Sequence, residues 1–267
     1  MSRIAVLGAG SFGLTLAVHL ERAGHESRLW GHDPAAMARL AIERENAKFL
    51  AGIKLPSGVK VHAELEAALE GADSALFVVP SQAVRSVAGR VAAIGWRGIP
   101  VCASKGLELG TLRRMSEVLA ETLGDPAPVT LTGPSHAEEV AQGIPTTVVA
   151  ACRDMERATE VQRLFSTPRF RVYTNSDVIG CEYGGALKNI IAIAAGVCDG
   201  LGFGDNTKGA LLTRGLAEMS RLGESMGAKR ETFFGLTGMG DLIATAMSRH
   251  SRNRHVGERI GRGETLQ

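Results

Sequence analysis

The run Gly8-Ala9-Gly10-Ser11-Phe12-Gly13 stands between a short apolar segment, Ile4-Leu7, and an apolar stretch of helical period that closes at Ala23-Gly24. Three glycines at that spacing, between a strand and a helix, restrict the chain sharply. The first permits a tight turn, the second admits a ligand against the backbone, and the third lets helix and strand pack closely. The N–H groups that open the helix then face an anion. This context predicts a βαβ unit that holds the pyrophosphate of a dinucleotide, and it names no reaction.

Further short β-type runs follow at Ser27-Trp30, Ala75-Val79, Ile99-Ala103, Val129-Thr132, Thr146-Ala150 and Phe170-Tyr173. Helical stretches alternate with them, and Pro34 after Asp33 and Gly124 after Leu112-Leu123 are start and stop signals. The strands are apolar rather than alternating, as a parallel sheet covered on both faces requires. After about Asn175 the strand signals cease, and Tyr183-Cys198, Lys208-Met226 and Asp241-Met247 read as helices. The expected fold class is therefore α/β, in two domains, with a Rossmann-type, largely parallel sheet over residues 1–176 and an all-helical domain over 177–267. The two are expected to meet at a cleft.

Composition narrows the function classes. Thirty Lys+Arg against 28 Asp+Glu leave a formal charge of +2, too balanced for general nucleic-acid binding, so any anion site is local. Cys102, Cys152, Cys181 and Cys198 form no CxxC pair and sit in or near apolar runs, which suits free thiols in a reducing compartment. No secretory core follows Met1-Ser2-Arg3, and the longest later apolar stretch, Ile190-Cys198, is too short for a bilayer. The expected location is the cytoplasm, with no membrane span. His250 and His255 stand five apart with no acid between them, so no metal site is read there.

Chemistry is expected where ligands bind in open sheets, outside the carboxyl ends of the strands. There the chain places Pro80-Ser81, Ser104-Lys105-Gly106 and Gly133-Pro134-Ser135, so Lys105 is aimed at the cleft. About twenty residues past the glycines comes Trp30-Gly31-His32-Asp33-Pro34. Asp33 either accepts from a ribose 2′-hydroxyl or caps the helix begun by Pro34, while His32 suits a 2′-phosphate, so both NAD and NADP stay open. Lys188 is the one charge in Gly184–Ala195, a nearly all-apolar stretch. Low dielectric and a second cation such as Lys105 push an ammonium towards the neutral amine that a general base needs; the alternative is an ion pair with Glu182 or Glu218. Asp241, in Gly238-Met239-Gly240-Asp241-Leu242, is either an N-cap or an acid of the site, and Thr245 follows one turn later on the same face. Ser251-Arg252-Asn253-Arg254 offers helix N–H groups and a guanidinium to a phosphate, or else a basic solvated helix start.

Together, the glycines at 8–13, Ser104-Lys105-Gly106-Leu107-Glu108, Gly133-Pro134-Ser135, Gly184-Gly185-Ala186-Leu187-Lys188-Asn189, Thr213-Arg214-Gly215-Leu216-Ala217-Glu218-Met219, Gly238-Met239-Gly240-Asp241-Leu242 and Ser251-Arg252-Asn253-Arg254 resemble the bacterial NAD(P)-dependent glycerol-3-phosphate dehydrogenases. The resemblance runs the whole chain. It implies reversible reduction of dihydroxyacetone phosphate to sn-glycerol 3-phosphate, a phospholipid precursor, with NADH or NADPH and no metal. By resemblance Lys188 matches the proton acceptor, and Asp241, Thr245 and Asn189 match the polar set around the reacting hydroxyl. Gly133, Ser135, Ser251, Arg252 and Asn253, with Lys105, Lys188 and Asp241, match substrate-binding positions. Gly8, Gly10, Ser11, Phe12, Gly13, His32, Lys105, Ala137 and Arg252 match cofactor-binding ones.

A homodimer through the helical domain is a further implication. The chain ends at Gln267, where the family continues for several more helices, so an incomplete helical domain is expected. Two other readings share the glycines: a hydroxyacid dehydrogenase acting on carboxylates, and a dinucleotide-sensing module without turnover. The Ser251-Arg252-Asn253 block speaks for phosphate over the first, and Lys188 in an apolar helix speaks against the second. A nucleic-acid reading rests only on the arginines between 249 and 262.

Overall fold

The structure, a computed structural model, describes residues 1–265; Leu266 and Gln267, placed above in the second domain, lie outside the described residues. Eight strands form one sheet: β1 (Arg3–Leu7), β2 (Glu26–Trp30), β3 (Lys60–His62), β4 (Ser74–Phe77), β5 (Ile99–Cys102), β6 (Val129–Thr132), β7 (Thr146–Ala151) and β8 (Phe170–Asn175). Their order is β3-β2-β1-β4-β5-β6-β7-β8, so the direction of winding reverses between β1 and β4. In such sheets the reversal opens a crevice at the carboxyl ends of the strands. The helices among the strands are α1 (Ser11–Arg22), α2 (Pro34–Glu43), α3 (Ala47–Leu50), α4 (Leu65–Leu69), α5 (Val84–Ile94), α6 (Met115–Leu123), α7 (Ala137–Ala141) and α8 (Met155–Phe165).

Both faces of the sheet are covered, and β1 shows why its buried residues, Ile4 to Leu7, are all apolar. Ile4 and Val6 join the core shared with Leu14, Val129 and Phe165, whereas Ala5 and Leu7 join the opposite core with Phe77, Val84 and Leu119. A polar residue at any of these positions would lose its water on either face.

Three features depart from the expected pattern. Strand β3 has a single apolar residue, Val61, at the sheet edge, where burial demands least. Strand β7 runs antiparallel to β6. The five-residue α7 is too short to carry the chain back across the sheet, so β7 starts at the edge where β6 ends. Helix α6 begins at Met115 rather than Leu112, because Leu112 adopts φ 56° and Glu117 closes the new start by accepting from Arg114 N at 2.9 Å.

From residue 178 onward the described chain is helical: α9 (Val178–Gly200), α10 (Asp205–Ser225), α11 (Arg230–Phe233), a π-type turn at Leu236–Gly240, α12 (Asp241–Met247) and α13 (Arg252–Gly261). Helix α9 is long and apolar enough to cross a membrane by length and composition. In this fold it is the axis on which α10, α12 and α13 pack, and it carries the buried charges Glu182 and Lys188.

Glycines set the closest of these packings. A methyl group at Gly196 would sit 2.0 Å from Arg254 O, and one at Gly257 would sit 2.0 Å from Ile193 O. Gly200 and Gly261 repeat the contact one turn on, so α9 and α13 meet backbone to backbone. With aromatics at only 4%, this close approach replaces bulky interdigitation. Gly196→Ala is expected to lower the unfolding free energy by about 1–3 kcal/mol through overpacking. Gly209→Ala, on the open face of α10, is expected to raise it by about 0.4–1 kcal/mol. Urea unfolding of the two variants checks the contrast.

Candidate active site

Three elements converge at the carboxyl edge of the sheet. Lys105 leaves the turn after β5, Lys188 projects from the middle of α9, and Asp241 is the first residue of α12. The Asp241 carboxylate accepts from both lysines, from Lys105 Nζ at Oδ2 (2.6 Å) and from Lys188 Nζ at Oδ1 (2.7 Å). Lys188 Nζ also donates to Thr245 Oγ1 at 2.5 Å, and that hydroxyl donates to Asp241 O at 2.6 Å. Lys105 Nζ donates to Gly133 O at 3.0 Å, and so does Ser135 Oγ, at 3.1 Å. Asp241 is thus no cap: it makes no side-chain bond to its own helix start, and its carboxylate is spent on the two ammonium groups.

Close backbone approach makes this possible. A methyl at Gly184 would lie 2.5 Å from Thr237 O, so α9 can touch the π-type turn that delivers Asp241. At Gly185 the stem of Lys105 passes within 3.7 Å of where such a methyl would be. Gly133 has φ 134° and lies against Val148, so its glycine identity follows from the turn and the neighbouring strand alone.

Burial and charge act in opposite senses on the group. Lys188 is 5% exposed, and burial, then repulsion from Lys105, pull its ammonium down to about 8 against the support of Asp241. For Asp241, burial alone would push the carboxyl up, but the two lysines outweigh it and hold the acid below its ordinary range. Glu182, a possible partner of Lys188 from the sequence, faces away and pairs with Arg114 at 2.7 Å.

A cavity of about 430 Å³ opens over this group. Its far wall is the start of α13, where Ser251 Oγ accepts from Arg254 N at 3.2 Å as the N-cap, and Arg252 and Asn253 line the space. Asn253 Nδ2 donates to Asn189 Oδ1 at 2.8 Å, which ties α13 to α9 beside Lys188. Among the described residues, Arg254, Arg259 and Arg262 are paired with carboxylates, whereas Arg252 pairs with none. His136 and His250 also border the cavity, two residues that sequence reasoning had not placed there. Only their positions, one residue past Ser135 and one before Ser251, carried a signal.

The pattern of the NAD-dependent glycerol-3-phosphate dehydrogenase N-terminus matches residues 3–158, and that of the C-terminus of the same enzymes matches residues 177–267. A relative named glycerol-3-phosphate dehydrogenase [NAD(P)+], from Chlorobium limicola, is 52% identical over 98% of this chain and 80% of its own length. The chain belongs to the NAD-dependent glycerol-3-phosphate dehydrogenase family. The relative of the same name from Clostridium perfringens is 49% identical over 100% of this chain and 81% of its own. The crystal structure of glycerol-3-phosphate dehydrogenase from Coxiella burnetii superposes with a TM-score of 0.94 at 40% identity, covering 98% of this chain and 81% of that one.

The glycine loop fits the dinucleotide that names this dehydrogenase family. Gly8 has φ 132°, and a methyl there would strike Val78 O at 2.5 Å; one at Gly13 would strike Gly8 O at 1.8 Å. Gly10 differs, because a methyl there meets no protein atom within 4 Å. The space beside it is open to a ligand, as a backbone that cradles phosphate requires. Helix α1 starts without a side-chain cap or an acid in its first turn, so the N–H groups of Ser11 and Phe12 face that space unshielded. At the end of β2, Asp33 Oδ1 accepts from Ala35 N and Ala36 N, which makes it the cap of α2, and His32 is exposed beside it. Ala137 opens α7, and its carbonyl accepts from Thr15 Oγ1 of α1 at 3.0 Å.

Because Asp241 is what raises the proton affinity of Lys188, Asp241→Asn is expected to lower the Lys188 titration below 8. Side-chain ¹⁵N NMR of lysine-labelled protein measures it; an unchanged midpoint contradicts the coupling.

Proposed function

We propose that this chain catalyses the reversible NAD(P)H-dependent reduction of dihydroxyacetone phosphate to sn-glycerol 3-phosphate. The observation that carries the reading is the Lys105–Asp241–Lys188 group at the base of a cavity whose opposite wall holds Arg252, paired with no carboxylate among the described residues. A sensing module has no use for two ammonium groups on one buried acid, whereas alcohol oxidation needs a base and a cation at the same oxygen.

The chemistry that a bound nicotinamide supplies is the hydride exchanged with substrate C2. Lys188 handles the proton: its neutral amine takes the C2 hydroxyl proton in oxidation, and its ammonium returns it in reduction. A base of pKa near 8 works in both directions close to neutrality. Lys105 offsets the negative charge that grows on the C2 oxygen. Asp241 holds both amines in place, and Thr245 and Asn189 fix Lys188 and the neighbouring edge of the cavity. Arg252, Asn253 and the start of α13 take the substrate phosphate, with Gly133 and Ser135 on the opposite side. Ser11, Phe12, His32, Ala137 and Arg252 contact the dinucleotide, with Gly8, Gly10 and Gly13 shaping its phosphate cradle. The domains divide at 176/177, the chain works in the cytoplasm, and it pairs as a homodimer through its helical domain; native sizing tests the last point.

Loss of reduced-nicotinamide absorbance on adding dihydroxyacetone phosphate, run with NADH and NADPH, tests the reaction directly. Turnover is expected, and silence with intact dinucleotide binding refutes the reading for this chain. Lys188→Ala is expected to cost roughly 10²–10⁴-fold in turnover while leaving dinucleotide affinity in place. The sign of the pH dependence follows from which form reacts: oxidation rises as pH passes about 8 and reduction falls through the same point. Coincident profiles would remove Lys188 from its role.

A further inference from the structure

Glu182 is a buried carboxylate that the proton chemistry leaves unused. It lies on α9, six residues before Lys188, and is 8% exposed. All its bonds reach out of its own helix to the start of α6. Oε1 accepts from Ser116 N at 2.8 Å, while Oε2 accepts from Ser116 Oγ at 2.6 Å and from Arg114 Nη1 at 2.7 Å. Ser116 N is one of the N–H groups that a helix start leaves free, so Glu182 caps α6 from the other domain.

The segment that ends at this cap is the one that begins with Lys105. Between β5 and α6 it is gripped on its outer side by Gln82, which donates to Leu107 O at 2.8 Å and accepts from Leu109 N at 2.9 Å, and by Arg85 on Glu108. On its inner side the tie is Glu182. An apolar contact would join the two domains at lower desolvation cost than a buried ion pair. What the charged, triply bonded contact adds is direction.

We infer that Glu182 is a positioning residue: through Arg114 and Ser116 it sets the Lys105 segment against the Lys188 helix so that both ammonium groups reach one Asp241 carboxylate. Asp241 does not depend on this tie, since α12 packs on α9 itself. Lys105 does. Loosening it removes a cation from beside Lys188 and admits water, and both changes raise the proton affinity of Lys188. The other charged and titratable groups that face Lys188 are Asp241 from α12 and His136, His250 and Arg252 across the cavity. Around Glu182 itself stand Arg114 and Glu117 from α6, Cys102 of β5, and Cys181 and Tyr183 on α9.

The effect on turnover rests on the function proposed above; the effect on Lys188 does not. The test is the Lys188 midpoint by lysine ¹⁵N NMR, assigned with Lys188→Arg, in the full chain and in Glu182→Gln and Ser116→Ala. The glutamine keeps the size but turns an amide N–H₂ towards Arg114 or Ser116. It is expected to move the Lys188 midpoint up by about one pH unit and to lower kcat for glycerol 3-phosphate oxidation about fivefold near pH 8. Ser116→Ala, which keeps the ion pair, is expected to shift the midpoint less and in the same direction. A midpoint unmoved in both variants overturns the inference, even where the thermal midpoint falls. Should Glu182→Gln fail to fold, Ser116→Ala alone decides by the same criterion. A shifted midpoint in a chain that never reduces dihydroxyacetone phosphate would sink the proposed reaction and leave the tie standing.

Discussion

The structure turns on one carboxylate shared by two lysines. Asp241 is almost fully buried, and a lone carboxylate there would cost several kcal/mol in lost hydration. Lys105 and Lys188 supply that loss back as short, charge-assisted hydrogen bonds. The three residues arrive from a loop of the sheet domain, from the central helix and from the start of α12. Holding them together obliges the two domains to meet at fixed distance, and it places the charge at the carboxyl edge of the strands, where the glycine loop also opens.

That meeting is achieved with glycine more than with large side chains. The chain has 33 glycines, and several of the telling ones lie at crossings where a single methyl would collide with backbone: Gly13 on the glycine loop, Gly184 against the turn before Asp241, and Gly196 and Gly257 between α9 and α13. Each removes a side chain so that a polar group elsewhere can reach its partner. The α9–α13 seam brings Arg252 and Asn253 to the cavity wall, and the Gly184 contact brings Asp241 to Lys188. Gly10 is different in kind, because nothing in the protein forbids a methyl there.

How much of this was legible in the sequence depended on the range of the interaction. Strands β1 and β5 were legible because the positions they bury on both faces are apolar, whereas β2 buries Ser27 and Arg28 beside Leu29 and Trp30 and shows the rule only at its end. Strand β3 was not, since an edge strand of three residues asks for little burial, and the reversal of β7 was not, since direction depends on how far α7 carries the chain. Lys188 stood out as a charge in an apolar helix, but its partner lies 53 residues further on, and long-range pairing leaves no periodic trace. Glu182 was visible only as a nearby acid. At six residues' separation and about 100° per residue it sits well round the helix from Lys188, so it serves α6 instead.

The arithmetic of charge also says which lysine gives up its proton. With both amines protonated and Asp241 ionised, the buried group carries one net positive charge, and losing one proton makes it neutral. The more deeply buried amine gains most from that loss, because water solvates it least. Lys188 is 7% exposed at its side chain against 23% for Lys105, so burial weighs most on the Lys188 ammonium and favours its neutral form. Both lysines lean on one acid, and in the proposed reaction their unequal burial separates a proton acceptor from an electrostatic support. Substrate phosphate is best held away from that balance, since a dianion beside Lys188 would restore its proton. In the proposed reaction the guanidinium of Arg252, on the α13 wall of the cavity and paired with no carboxylate among the described residues, provides the place for it.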